Sequence, residues 1–221
     1  MTTPAFDGTL TRDWMHRFAD SVYATEAELT ALDQRVGDGD FGTNLTAGVR
    51  AAGHLLDAGG AEAGPSETLG CMATAFLDEI GGTSGPLFGL LFQALSRSAS
   101  GNGLTSAGLA EGVERGLAAI RRVGDAAPGD KTLVDALTPA AAALRGASGG
   151  TPPDRALSLA ADAAWQGVHD TAGLSARMGR ASYLGERVTG IPDPGAVGVA
   201  LLFASAAGPV HTLAPYLPGG G

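Results

Sequence analysis

Asp13-Trp14-Met15-His16-Arg17-Phe18-Ala19-Asp20-Ser21-Val22 decides the fold class. Trp14, Phe18 and Val22 recur every four residues and so share one face of a helix. Leu45, Val49 and Leu56 repeat the pattern further on. Alanine and leucine are abundant, and the alternation of β-branched residues that marks a strand is nearly absent. This reading predicts helices over residues 10–24, 26–36, 44–58, 67–79, 86–99, 105–123, 131–145, 154–172 and 195–207. Between them lie turn-forming clusters: Gly59-Gly60, Pro128-Gly129-Asp130, Gly149-Gly150-Thr151-Pro152-Pro153 and Asp193-Pro194-Gly195. None is long or polar enough to divide two domains, and no fixed internal period is visible. The expectation is one all-α domain over residues 1–221, its neighbouring helices antiparallel because the connections are short, with disordered tails at 1–8 and 215–221.

Composition narrows the partners. A net charge of −9 and a pI near 4.7 argue against a nucleic-acid binder, which needs a basic footprint, and against docking on an anionic membrane surface. The first residues hold no basic segment followed by an apolar run, so no signal peptide is expected. The longest apolar stretch, Val197 to Val210, is short of a membrane span and is diluted by Gly198, Ser205 and Gly208. Cys71, the single cysteine, excludes an internal disulfide and reads as a small buried hydrophobe. Together these features predict a soluble, cytoplasmic protein.

Chemistry concentrates in Asp33 and the turn Gly37-Asp38-Gly39-Asp40-Phe41-Gly42-Thr43-Asn44. Three carboxylates within eight residues repel one another unless a cation sits between them. Oxygen donors without Cys or His suit Mg²⁺ or Ca²⁺. An EF-hand is excluded, because Gly42 and Val49 occupy the fifth and twelfth loop positions counted from Asp38. A Walker phosphate loop is excluded as well, since Gly42-Thr43-Asn44 lacks its lysine. A plain helix cap would explain one Asp-Gly turn but not three carboxylates.

Three further segments could grip an anion. Gly81-Gly82-Thr83-Ser84-Gly85-Pro86 precedes an apolar run, with Ser84 placed to cap a helix whose free N–H groups would face a phosphate. Arg177, Arg180 and Arg187 cluster in an otherwise acidic chain, and a guanidinium is well shaped for phosphate. Pro128-Gly129-Asp130-Lys131-Thr132 reads only as a turn with Thr132 near a helix start. The histidines His16, His54, His169 and His211 are scattered and read as structural or exposed.

Taken in chain order, Asp33 with the Gly37–Asn44 turn, the Gly81–Gly89 segment, Gly129-Asp130-Lys131-Thr132, and Gly179-Arg180-Ala181-Ser182-Tyr183 with Asp193-Pro194-Gly195-Ala196 resemble the nucleotide-binding L subunit of dihydroxyacetone kinase, from about Trp14 to Phe203. The resemblance implies a closed barrel of about eight antiparallel helices with ADP or ATP at one end. It implies that Asp33, Asp38 and Asp40 hold two Mg²⁺ ions, and that Thr43, Asn44, Gly82, Thr83 and Ser84 contact phosphate. Gly129, Thr132 and Leu133 match a loop over the adenine, and Arg180, Asp193 and Gly195 a segment closing over phosphates and ribose. Asp33, Asp38, Asp40 and Arg180 are thereby the expected catalytic group. Phe41 departs from the family, which often has His there, and so removes one side-chain phosphate contact.

The same resemblance implies half an enzyme. The ketose is held covalently by a histidine of a separate K subunit, and a phosphohistidine carrier, the M subunit, rephosphorylates bound ADP. The chain's length matches the free-standing subunit and favours that donor. An ATP-dependent kinase subunit for dihydroxyacetone or a four-carbon ketose is the alternative, followed by a non-catalytic Mg-ADP regulatory module and, more distantly, an Mg²⁺-dependent phosphohydrolase. A homodimer is left open.

Overall fold

A computed structural model describes residues 4–60, 62–78, 80, 84–100, 103–179, 181–183 and 188–218. Among them the chain forms eight α-helices and a single pair of two-residue strands. The elements run β1 (Ala5–Phe6), α1 (Gly8–Gln34), α2 (Phe41–Ala58), α3 (Pro65–Asp78), α4 (Ser84–Ser98), β2 (Leu104–Thr105), α5 (Ser106–Gly124), α6 (Leu133–Ala147), α7 (Pro153–Ala172) and α8 (Pro194–Ala204). Each helix packs on the next in sequence, and α8 packs back on α1, so the ring closes. The fold is all-α.

One helix replaces the two expected over 10–24 and 26–36. The Thr25 hydroxyl donates to the Ser21 carbonyl at 2.7 Å and the side chain is fully buried, so the helix continues through the position between the two expected ranges. At 27 residues α1 is roughly 40 Å long. Asp7 starts it by accepting the Leu10 N–H at 2.8 Å. Trp14, Phe18, Val22 and Leu29 form its buried stripe.

Helix α8 differs from the others. Every residue from Pro194 to Phe203 is buried, and it packs on α1, α2, α6 and α7. That accounts for the apolar run near Val197: a core helix is hydrophobic all round. Among the described residues no helix is long and apolar enough to cross a membrane.

The two expected tails do not hold as drawn. Ala5–Phe6 pairs antiparallel with Leu104–Thr105, and Phe6 is buried edge-on against Trp14 with ring centroids 6.4 Å apart. At the other end the Tyr216 ring stacks on Trp165 at 4.6 Å, and its carbonyl lies 2.7 Å from His169 Nε2. Aromatic burial is what docks both segments; residues 1–3 and 219–221 lie outside the described set.

Candidate active site

The site begins with how α1 ends. Asp33 lies in the last turn of α1 and is buried, while Asp38 and Asp40 are exposed on the turn that follows. The chain reverses tightly here: the Gly37 N–H donates to the Asp33 carbonyl at 2.6 Å. A Cβ on Gly37 would stand 2.4 Å from Asp33 Oδ1, so only glycine lets the turn close on that carboxylate. Gly39 has φ +78°, the left-handed region glycine favours. One carboxylate oxygen from each aspartate falls within 4.8 Å of the others.

This donor set fits a hard cation. Two oxygens on opposite sides of one Mg²⁺ stand about 4.2 Å apart, so the cluster spans what one ion or two adjacent ions can bridge. Burial pushes the Asp33 carboxyl above its ordinary range; the Phe41 N–H, donated to Oδ2 at 3.1 Å, opposes this, and the charges of Asp38 and Asp40 add to it. A cation among the three would remove that repulsion.

Around the turn is a cavity of about 270 Å³. Asp33 and Ile120 reach it from the C-terminal parts of α1 and α5. Phe41, Asn44, Ser84, Thr132, Leu133, Asp193 and Gly195 reach it from the N-termini of α2, α4, α6 and α8. C-terminal ends of odd helices beside N-terminal ends of even ones are what an up-and-down ring puts at one end. Four helix N-termini bring partial positive charge to one space, which suits an anion. Val36, Leu87, Val134 and Met178 give the cavity an apolar part able to take a flat ring.

Thr132 caps α6 within a reciprocal box: its hydroxyl accepts the Val134 N–H at 3.2 Å, while Asp135 Oδ2 accepts the Thr132 N–H at 2.9 Å. Asp135 Oδ1 accepts the Gly129 N–H at 2.5 Å and so shapes the turn before the helix. Asp193 caps α8 by accepting the Ala196 N–H at 2.8 Å. Burial pushes its carboxyl up to about 7; the Ala196 N–H opposes this, Asp135 adds to it, Lys131 opposes it and Asp33 adds again.

Several expectations need adjustment. Thr43 is exposed and, like Gly129, does not line the cavity, because it points away on the first turn of α2. Ser84 is the first residue of α4 rather than a cap preceding it. The Phe41 ring forms the cavity floor, packed on Phe88 at 6.5 Å and against the Cα of Gly198, so it contributes only its backbone N–H as a donor. Arg177 pairs with Asp130 at 3.6 Å. Gly82, Thr83, Arg180 and Arg187 lie outside the described residues. Leu87, Ile120, Met178 and Lys131 line the cavity without having been anticipated; Lys131 did carry a signal, as the only lysine in the sequence.

The model of the DAK2 domain matches residues 35–208. The chain belongs to the DAK2 domain family. Asp38 and Asp40 fall inside the matched span and Asp33 just before it. This DAK2 domain is 40% identical over 183 residues to an L-erythrulose 1-kinase of Mycolicibacterium smegmatis, covering 80% of the chain and 31% of that protein. It is 34% identical over 193 residues to the ADP-binding subunit DhaL of a PEP-dependent dihydroxyacetone kinase of Listeria innocua, covering 86% of the chain and 90% of the subunit. The chain thus spans about a third of the one relative and nearly the whole of the other. Among solved structures, the dihydroxyacetone kinase from C. freundii in complex with AMP-PNP and Mg²⁺ superposes with a TM-score of 0.66 at 25% identity, over 94% of this chain and 34% of that one.

Proposed function

We propose that this chain is the nucleotide-binding unit of a dihydroxyacetone kinase: bound ADP takes up a phosphoryl group to become ATP, which passes it to dihydroxyacetone held on a separate K subunit. The observation that carries it is the cluster of three aspartate oxygens within 4.8 Å, set at a cavity into which four helix N-termini open. Carboxylates and helix N-termini repel and attract the same anion, so the arrangement makes sense when cations sit between aspartates and phosphates. The names of the relatives support it: an ADP-binding subunit of which this chain covers nine-tenths, and a kinase solved with AMP-PNP and Mg²⁺.

In this reading Asp33, Asp38 and Asp40 hold two Mg²⁺, whose chemistry is to neutralise phosphate charge and align the transferring group. Asp33 is the fixed member, buried and hydrogen-bonded, and the two exposed aspartates adjust to it. Asn44, Ser84 and the N-terminal ends of α2 and α4 face the phosphates, with Gly82, Thr83 and Thr43 assigned beside them from the family pattern. Thr132 and Leu133, positioned by Gly129, bound the base, and Asp193 and Gly195 the ribose side. Arg180 supplies charge to the transferred group. Among the described residues no histidine lines the cavity.

The phosphoryl donor is a phosphohistidine carrier, the M subunit, acting on ADP that stays bound. The 40% identity to the L-erythrulose 1-kinase favours a second reading, in which ATP is the donor and a four-carbon ketose the acceptor. Mixing the protein with a dihydroxyacetone-binding K subunit and either a PEP-driven carrier or ATP decides between them. Sugar phosphate formed with the carrier alone supports the first reading, and formation with ATP alone supports the second. No product from either donor, with dihydroxyacetone or erythrulose, contradicts both and leaves a regulatory module.

A further inference from the structure

Lys131 is fully buried although it is charged, and it is the only lysine among fourteen basic residues. Its backbone has φ +62°, a region few residues other than glycine adopt. That conformation turns the side chain inward just before the Thr132 cap. There Nζ donates to the Thr171 carbonyl at 2.6 Å and to the Ile191 carbonyl at 2.7 Å. Thr171 belongs to the last turn of α7, and Ile191 lies two residues before the Asp193 cap of α8. One ammonium therefore joins three helix ends: the start of α6, the end of α7 and the approach to α8.

The junction has further ties. The Asp193 N–H donates to Thr171 Oγ1 at 3.0 Å, and that hydroxyl donates to the Val168 carbonyl at 2.5 Å. Gly190 N–H reaches the Ala172 carbonyl at 2.8 Å, and Arg177 N–H the Asp130 carbonyl at 3.1 Å. Thr132, Leu133, Asp193 and Gly195, which line the cavity, all adjoin this junction. Burial lowers the Lys131 proton affinity, and Asp193 and Asp135 oppose that shift.

We propose that Lys131 is a positioning residue for the nucleotide: by joining the ends of α6, α7 and α8 it fixes the cavity wall that retains ADP, without taking part in cation binding at Asp33, Asp38 and Asp40. This rests on the nucleotide-binding reading above. Through one side chain Lys131 donates to two carbonyls 20 residues apart in sequence (Thr171 and Ile191), and a buried carbonyl left without a donor is costly.

The test is the rate at which a fluorescent ADP analogue leaves the Mg²⁺-loaded protein, measured for wild type, Lys131→Met and Thr171→Val. Mn²⁺ alone is titrated in parallel as a probe of the aspartates. Dissociation about tenfold faster in both variants is expected, with Mn²⁺ affinity within roughly twofold of wild type. Thr171→Val leaves the Lys131 bonds to the main-chain carbonyls in place and removes the acceptor of the Asp193 N–H, so it tests the same junction through its second tie if Lys131→Met does not fold. Unchanged dissociation in the folded variants overturns the assignment, as does a parallel loss of Mn²⁺ and ADP, which marks a merely structural residue. A wild type that binds Mn²⁺ but no ADP overturns both this inference and the function it rests on.

Discussion

Asp33 differs from Asp38 and Asp40 in being buried, and its Oδ2 accepts the Phe41 N–H before any cation arrives. The exposed pair can turn to meet an ion, whereas Asp33 defines where the ion sits. Asp38→Asn removes one charge from a cluster whose members repel, so two effects of opposite sign are expected. Mg-ADP affinity falls about a hundredfold or more, while the melting temperature of the metal-free protein stays level or rises; calorimetry of both forms checks this. Asp193 gives a pH signature. Its folded pKa of about 7 lies above the ordinary 3.8, so both states are neutral below about pH 4 and no stability difference arises there. From about 4 to 7 the unfolded chain ionises while the folded carboxyl holds its proton, and stability falls as pH rises. Asn caps as well as Asp, so Asp193→Asn keeps the α8 cap, shrinks that fall, and melts higher than wild type at pH 8. A denaturation series from pH 4 to 8 in chelator reads it.

At the scale of elements, the ends of the helices matter more than their middles. Thr132→Ala removes one half of a capping box at the cavity wall and should cost about 1 kcal/mol, lowering the melting temperature by about 2–4 °C and weakening nucleotide binding, both measurable by thermal shift with and without Mg-ADP. Most helices were legible because their stripes and turn residues are local: Trp14, Phe18 and Val22 in α1, or the Pro152-Pro153 entry to α7. The continuity of α1 through Thr25 was not, because it depends on a hydroxyl satisfied inside the helix. β1 was invisible for another reason: two residues carry no alternation, and their partner lies about a hundred positions away. The site divides in the same way. Asp33, Asp38, Asp40, Phe41 and Asn44 stand within twelve residues and announce themselves. Lys131 acts on carbonyls 40 and 60 residues distant, and Leu87, Ile120 and Met178 meet only when the ring closes.

The whole molecule is a ring of helices closed by a wholly buried α8, with its chemistry at one end. That end combines carboxylates that reject phosphate with helix termini that attract it, and the two are compatible only through a divalent cation. Nucleotide binding must then be obligately metal-dependent. The most direct test is a calorimetric titration of the protein with ADP in Mg²⁺, repeated after chelation. One-to-one binding in Mg²⁺ that disappears with chelator is the result predicted. Binding of equal strength without Mg²⁺, or no binding in its presence, would contradict it.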